Sequence, residues 1–242
     1  MRASRALLGA LVGAQMVYGR LPERRLEGAT RGIVGLLLTA ALADAVEARG
    51  VRRGAGGVAA AGALGFAAEL AGVATGRPFG HYTYSGKLGP RVGGVPLLAA
   101  AAWAMMARPS WVVAGLLAGR RRALRVGLAA GALTAWDVFL DPRMAREGYW
   151  SWPGGGRYEG VPASNFVGWF VTGAGVFAVW SVLDGDDEPL ADGDGALALY
   201  VWTWVGETFA NAVLWRRPVV AAAGCAAMGA FAAPALAARL RR

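Results

Sequence analysis

The sequence has little cysteine, little histidine and little charge. It contains one cysteine and one histidine, and only 17% of its 242 residues are charged. A single cysteine, Cys225, excludes a disulfide framework and any site built from several thiols. A single histidine, His81, excludes reaction centres that need several imidazoles, such as histidine-rich di-iron sites. Soluble domains carry about 25% charged residues, so the low charge argues against an ordinary soluble domain.

Hydrophobic residues, by contrast, make up 56% of the chain and are gathered in long blocks. A helix that crosses a bilayer needs roughly 20 such residues. The blocks lie at about residues 6–19, 29–46, 56–75, 93–118, 123–140, 165–183, 196–215 and 218–238. This pattern predicts an all-α fold, a polytopic transmembrane bundle of seven to eight helices in the lipid bilayer. We expect a single integral-membrane domain over residues 1–242.

Basic residues outnumber acidic ones, 25 to 16, which gives a net charge of +9. In a soluble protein this excess would raise the question of a nucleic acid partner. Here the basic residues sit at block ends, as at 120–122 and 239–242, where they meet lipid headgroups. We therefore expect no nucleic acid partner. The basic residues divide evenly between alternate loops, so their distribution does not orient the chain in the membrane.

One loop, residues 184–194, is strongly acidic, with six carboxylates and no basic residue. Such a loop can bind Ca²⁺, but this one contains Pro189 and lacks the ligand spacing of an EF-hand. We interpret it as a solvated acidic linker. The fourth hydrophobic block is also unusual, because it contains Arg108-Pro109, and both residues are unfavourable inside a spanning helix. It is either one kinked span or two shorter helices.

Carboxyl groups inside hydrophobic helices are candidates for function, because burying them is unfavourable unless they are used. Glu69 is the clearest case. Gly62, Gly65, Gly72 and Gly76 recur around it at spacings of three and four, which puts all five residues on one helical face. A glycine face is a contact face, so we expect Glu69 to point into the bundle. It serves there either in chemistry or only as a hydrogen-bonding partner between helices.

Two other helices carry polar residues at helical spacing. They are Thr134, Asp137 and Asp141 on the fifth helix, and Thr203, Glu207 and Asn211 on the seventh. Asp137 and Asp141 also form a DxxxD pattern, half of the Mg²⁺-diphosphate motif of membrane prenyltransferases. The second half of that motif has only a poor match in the acidic loop. Asp141-Pro142 can equally mark the end of a helix, and Asp44 a helix end at the membrane interface.

If all eight blocks span the membrane, several polar residues emerge on the same side. The loops after the third and fifth helices lie at one end, together with the carboxyl half of the seventh. The residues and segments expected there are Glu69, Asp137, Asp141, Glu207, Asn211, the aromatic loops 77–90 and 141–153, and the following Tyr158 and Asn165. The sequence therefore predicts a single polar pocket at one end of a hydrophobic bundle.

Several separate motifs follow one another along the chain: Glu69 with TGRPFGHYTY at 75–84, LGP at 88–90, GVP at 94–96, WDVFLDPRM at 136–144, EGYW at 147–150 and YEGVPASNFVGW at 158–169. In this order they resemble the integral-membrane carotenoid hydratases, the family that includes bisanhydrobacterioruberin hydratase. The resemblance extends over roughly residues 60–215. It implies addition of water across the terminal double bond of an acyclic carotenoid end, which gives a tertiary alcohol.

The implied substrate is an acyclic or monocyclic carotenoid, and the reaction requires no cofactor and no metal. Protonation of the alkene gives a tertiary carbocation, so the site needs an uncharged carboxylic acid, a held water and groups that shelter the cation. We expect Glu69 or Asp137 to be the acid, because burial favours the neutral carboxyl. The other carboxyl, Glu207 or Asn211 then holds the water.

Aromatic rings stabilise a cation by roughly 0.5–2 kcal/mol each. Tyr82, Tyr84, Trp136 and Trp169 are candidates for this role, although aromatic residues at these positions can also form an interfacial belt. The full set of predicted substrate-binding residues is His81, Tyr82, Tyr84, Trp136, Asp141, Tyr149, Trp150, Tyr158, Asn165 and Trp169.

Other functions use similar residues. A Mg²⁺-dependent prenyltransferase or a carotenoid end-group cyclase also passes through carbocations. A transporter or a scaffold for other carotenoid biosynthesis enzymes would use Glu69 and Asp137 as an ion path or not at all. In each case we expect an integral membrane protein of the cell membrane, with other carotenoid biosynthesis enzymes as candidate partners.

Overall fold

The computed structural model describes residues 2–185 and 193–241, and within these residues the chain forms eight α-helices. They are α1 (Ala3–Tyr18), α2 (Glu23–Gly50), α3 (Gly56–Thr75), α4 (Leu97–Ala118), α5 (Arg122–Arg146), α6 (Ala163–Asp184), α7 (Asp194–Phe209) and α8 (Pro218–Leu240). Four short strands lie between them: β1 (Thr83–Tyr84), β2 (Arg91–Val92), β3 (Val95–Pro96) and β4 (Trp150–Ser151). The predicted all-α bundle is confirmed.

Five helical segments of the described chain are long and apolar enough to cross a membrane. The first, Glu23–Thr75, contains both α2 and α3. The backbone changes direction at Gly50, whose φ is 73°. Gly54 then lies so close to α2 that a Cβ would be 2.3 Å from the carbonyl oxygen of Ala45. A continuous helix would separate these two residues by about 13 Å, so the chain turns back on itself. The protein is an integral membrane protein.

The glycine face of α3 is the contact face that its spacing predicts. A Cβ on Gly65 would lie 2.1 Å from the Trp103 side chain, and one on Gly62 would lie 3.2 Å from the carbonyl of Ala100. α4 can approach this closely only because the facing residues of α3 have no side chains. Glu69 lies on the same face and is buried, with 5% of its surface exposed.

α4 is one helix that continues through Pro109. Arg108 is fully buried inside it, and its guanidinium Nε lies 2.9 Å from an Asp44 carboxylate oxygen. The other oxygen of Asp44 accepts a hydrogen bond of 3.0 Å from the backbone N–H of Ala196. Because α2 continues beyond Asp44 to Gly50, Asp44 does not end a helix, as one interpretation held. A buried guanidinium is tolerated when a carboxylate pairs with it and hydrogen bonds satisfy the rest of the pair.

α5 continues past Pro142 to Arg146, so Asp141-Pro142 does not end the helix as one interpretation held. A proline has no backbone N–H, which leaves the carbonyl four residues earlier without its helical partner. That carbonyl belongs to Val138, and it accepts a hydrogen bond of 3.0 Å from the Tyr158 hydroxyl. The helix is thus completed by a side chain from the following loop, and Asp141 stays on a regular helical face.

The two aromatic loops meet at one end of the bundle. β1 and β4 pair antiparallel, with Thr83 opposite Ser151 and Tyr84 opposite Trp150. This pairing fixes the loop after α3 against the loop after α5 at the membrane end that the loop order predicts. It also sets Tyr84 and Trp150 on the same face of the small sheet.

The opposite end is held by ion pairs. Arg49 donates a hydrogen bond of 2.8 Å to the Asp184 carboxylate, and Arg239 donates one of 2.8 Å to Asp194. Both ends of the predicted acidic linker are therefore paired with arginines and not merely solvated. Its middle, residues 186–192, lies outside the described residues.

Candidate functional site

A small cavity lies between the helices at the end where β1 and β4 pair. Its volume is about 60 Å³, which is room for a few water molecules. The polar residues that line it are Glu69, Asp141, Asn165, Tyr82 and Tyr84. The rest is aromatic and aliphatic: Val34, Phe79, Leu88, Leu98, Ala99, Ala102, Trp103, Met105, Leu140, Met144, Trp150, Trp152 and Trp169.

Glu69 is surrounded by hydrogen-bond donors. The Tyr82 and Tyr84 hydroxyls both donate to one carboxyl oxygen, the latter over 2.8 Å. The indole N–H of Trp103 donates to the other oxygen over 3.0 Å. These donors come from β1, the residue before it, and α4, so the carboxyl group is held at the junction of three elements. Each hydrogen bond that this carboxyl forms with the described residues comes from a donor, and hydrogen bonds to a carboxylate favour the charged form.

The two tyrosines remain neutral and able to donate. Burial raises the pKa of both hydroxyls, Tyr82 and Tyr84, and the charge of neighbouring Glu69 raises each pKa further. The two rings meet edge to face, with centroids 5.5 Å apart, and Tyr84 makes a similar contact with Trp150 at 5.6 Å. A continuous row of rings therefore links Glu69 to the residues around Asp141.

Asp137 and Asp141 form a pair of carboxyl groups that share one amide. The Asn165 side chain donates to Asp137 over 2.8 Å and also donates to Asp141. Trp150 donates to Asp141 over 3.0 Å. Both hydrogen bonds from Asn165 come from the same nitrogen, Nδ2, so the two carboxyl groups lie next to one another. Asp137 is completely buried, and its Oδ1 has no hydrogen-bond partner among the described residues.

The carboxyl groups are enclosed by indole rings. Trp103 and Trp169 stack with centroids 4.1 Å apart, and Trp136 meets Trp169 edge to face at 6.0 Å. Trp152 lies against Tyr82 at 5.9 Å. Trp103, Trp152 and Trp169 line the cavity. Trp136 does not line it and instead packs against Trp169.

Glu207 and Asn211 lie outside this cavity, in a second polar cluster. Glu207 is 3.7 Å from the Arg143 guanidinium, and the Asn211 side chain donates to the Glu207 backbone carbonyl over 2.9 Å. The structure therefore does not bring them into the predicted single pocket. α7 packs on α1, α2, α4 and α8, whereas Glu69 is on α3, which packs on α4 and α6. Loop order predicts the end of the bundle at which a residue lies, but not its lateral position.

Three further predicted substrate-binding residues do not line the cavity. His81 is exposed and packs over Gly76. Tyr149 is buried beside Met144 and donates a hydrogen bond of 3.3 Å to the Thr30 hydroxyl. Tyr158 completes α5 at Val138, and burial raises the pKa of its hydroxyl to about 12. Of the predicted set, Tyr82, Tyr84, Asp141, Trp150, Asn165 and Trp169 line the cavity.

Two of the tryptophans that line the cavity, Trp103 and Trp152, are not among the site residues predicted from the sequence. Trp103 is a direct hydrogen-bond donor to Glu69, yet it lies 34 positions away in a hydrophobic block. The only sequence signal for it is the glycine face of α3, which requires a large side chain opposite. Trp152 lies in an aromatic loop two residues after Trp150, and its N–H donates to the carbonyl of Phe79 over 3.2 Å.

The fold and the site define an integral membrane protein in which a carboxyl-rich, aromatic-walled cavity lies at one end of a helical bundle. The family of carotenoid biosynthesis proteins matches residues 30–231, and the chain belongs to this family.

The chain is also similar to a curated relative, the bisanhydrobacterioruberin hydratase of Haloarcula japonica, with 31% identity over 106 residues. That alignment covers 42% of this chain and 36% of the relative. No solved structure matches the chain significantly.

Proposed function

We propose that the protein adds water to the terminal double bond of an acyclic carotenoid end group and forms a tertiary alcohol by acid catalysis. The observation that carries this proposal is the cavity in which Glu69 and Asp141 are enclosed by aromatic rings. It combines carboxyl groups, space for water and rings that can face a cation. The Haloarcula relative is named a hydratase, and the chain belongs to a family of carotenoid biosynthesis proteins; both support the same reaction.

The reaction consumes one water molecule and uses one catalytic proton, which is returned; it needs no other reactant. A carboxylic acid gives its proton to the alkene carbon that bears one hydrogen, and the neighbouring carbon becomes a tertiary cation. Water attacks that carbon, and a carboxylate takes the extra proton from the resulting oxonium. A dry, preorganised site strengthens each of these electrostatic interactions. Proton transfer from a positioned side chain typically contributes about 10²–10⁴-fold in rate.

The hydrophobic bundle suits a substrate that is dissolved in lipid. A long polyene can remain between lipid chains and helices while its reactive end occupies the cavity. Rings of Trp103, Trp152 and Trp169 would then surround the cationic carbon. We infer residence in the cell membrane, and association with other carotenoid enzymes that make or consume the same polyene.

Expression in a host that accumulates lycopene tests the proposal. We expect new carotenoids heavier than the parent by one or two water molecules, measured by chromatography and mass analysis. A cyclase would give a product of unchanged mass, and a prenyltransferase would add a five-carbon unit. A carotenoid profile identical to that of the empty host would contradict an enzymatic role and favour a transporter or a scaffold.

Substitution of the carboxyl groups connects the product to the site. We expect Glu69→Gln and Asp137→Asn each to reduce the hydrated product by at least tenfold at equal protein level. Asp194→Asn is the matched control, because Asp194 pairs with Arg239 at the opposite end of the bundle. Full activity in both Glu69→Gln and Asp137→Asn would show that neither carboxyl takes part.

A further inference from the structure

Glu69, Asp137 and Asp141 differ in their hydrogen-bond partners and in their access to the cavity. We infer that the Asp137–Asp141 pair supplies the proton, which Asp141 delivers, and that Glu69 is the carboxylate that faces the cation and takes up the proton of the attacking water. This inference rests on the proposed hydration and divides its roles between named residues.

Access to the cavity separates Asp141 from Asp137. Asp141 lines the cavity, whereas Asp137 is completely buried and does not line it. Of the two aspartates, only Asp141 can therefore touch a substrate. Asp137 is one helical turn earlier on α5 and shares the Asn165 amide nitrogen with Asp141, so it lies close enough to share or replenish the proton.

The aspartate pair holds a proton because its two carboxyl groups are adjacent and have few hydrogen-bond donors. Two carboxylates in direct contact repel one another strongly, so such a pair retains at least one proton. The two groups receive hydrogen bonds from one shared amide, that of Asn165, and Asp141 receives one more from Trp150. No described arginine or lysine forms an ion pair with either aspartate.

The partners of Glu69 favour the opposite state. Its two oxygens accept hydrogen bonds from Tyr82, Tyr84 and Trp103. A protonated Glu69 would present its own O–H to this group of donors and would give up one of these hydrogen bonds. The carboxylate uses all three donors, and hydrogen bonds to the charged form favour that form.

With these roles, the proton that leaves Asp141 and the proton that Glu69 takes up are both exchanged within one cavity. Asp141 loses a proton to the alkene, water adds to the cation, and Glu69 receives the proton that the new hydroxyl group releases. Glu69 and Asp141 line the same cavity, which has room for a few water molecules. These waters can return the proton from Glu69 to the aspartate pair and restore the starting state.

A cationic analogue distinguishes the two roles without turnover. The probe is an acyclic terpenoid with a dimethylammonium group at the position of the tertiary carbon, titrated into the purified full chain in lipid nanodiscs. Stable mimics of a transition state bind through the groups that stabilise it. We expect Glu69→Gln to weaken binding by tenfold or more, and Asp141→Asn to change it by less than about threefold. The reverse order would overturn the assignment.

Infrared difference spectra give a second, independent readout. We expect the Asp141→Asn variant to lack the C=O band of a protonated carboxyl, so that this band appears in the wild type minus Asp141→Asn difference spectrum. We expect Glu69→Gln to retain the band. Tyr84→Phe keeps the assignment testable if Glu69→Gln does not fold: it removes one donor and is expected to weaken analogue binding severalfold. Unchanged binding in Tyr84→Phe would contradict the inference.

These outcomes remain separate from the proposed function. If the wild-type protein forms no hydrated carotenoid, the hydration proposal fails whatever the spectra show. If it does form one but the proton band belongs to Glu69, the reaction stands and the division of roles is wrong.

Discussion

Asn165 holds the aspartate pair together with a single side chain. Its amide donates to both Asp137 and Asp141, and it is 2% exposed. Without this donor, two buried carboxyl groups lose a hydrogen bond at once. A buried polar group left without its partner costs about 1–3 kcal/mol. In the proposed mechanism Asn165 therefore positions the proton donor and does not itself need to contact the substrate.

We predict that Asn165→Ala reduces hydration turnover by about tenfold and lowers the free energy of unfolding by about 1–3 kcal/mol. The reason is that the carboxyl groups lose their common donor and change orientation. Turnover of an acyclic carotenoid in nanodiscs and thermal unfolding measure the two effects. Ser164→Ala, at an exposed neighbouring position, is the control. Wild-type turnover in Asn165→Ala would contradict a positioning role.

At the scale of elements, the site depends on two local exceptions to regular helix chemistry. The glycine face of α3 removes side chains so that Trp103 can reach Glu69. The proline in α5 removes a backbone donor, which the Tyr158 hydroxyl replaces at Val138. In both cases a side chain from another element fills the place of a group that one helix lacks. The side chain comes from α4 in the first case and from the loop between α5 and α6 in the second.

Tyr158→Phe tests the second exception. We predict a loss of about 0.5–1.5 kcal/mol in unfolding free energy, because the Val138 carbonyl loses its partner. Turnover should fall with it, since Asp141 lies next to the proline. Pro142→Ala restores the backbone N–H, so the double variant should be less sensitive to loss of the hydroxyl. Equal effects of Tyr158→Phe in both backgrounds, measured as a double-mutant cycle, would refute this.

At the scale of the whole molecule, α2, α4 and α7 are joined by one buried ion pair. Asp44 of α2 pairs with Arg108 of α4 and accepts the N–H of Ala196 in α7. Such a pair contributes little compared with well-packed apolar residues, but loss of one partner is strongly destabilising. The main role of the Asp44–Arg108 pair is therefore to specify that α2, α4 and α7 are neighbours.

We predict that Asp44→Ala lowers the unfolding free energy by about 3–5 kcal/mol, because it removes the carboxylate that pairs with Arg108. The double variant Asp44→Leu/Arg108→Met should recover most of this loss. Denaturation of the purified protein in mixed micelles measures both. A double variant as unstable as the single one would show that the pair acts through more than its charges.

The sequence predicted much of the fold because lipid imposes a simple requirement. Each hydrophobic block must satisfy its backbone internally and therefore becomes a helix. The eight blocks correspond to α1–α8. The glycine spacing of α3 likewise predicted that Glu69 faces the bundle. Arg108 and Asp44 were harder, since pairing across 64 positions has no local sequence signal.

The sequence by itself determined the helices, their order and the end of the bundle at which the polar loops meet. Only the tertiary structure decided which polar residues share a cavity: it brought Glu69 and Asp141 together, added Trp103 and left Glu207 and Asn211 in another cluster. The physical reason is that hydropathy and spacing act along the chain and fix each helix separately. Lateral packing depends on which side-chain shapes and charges complement one another across helices.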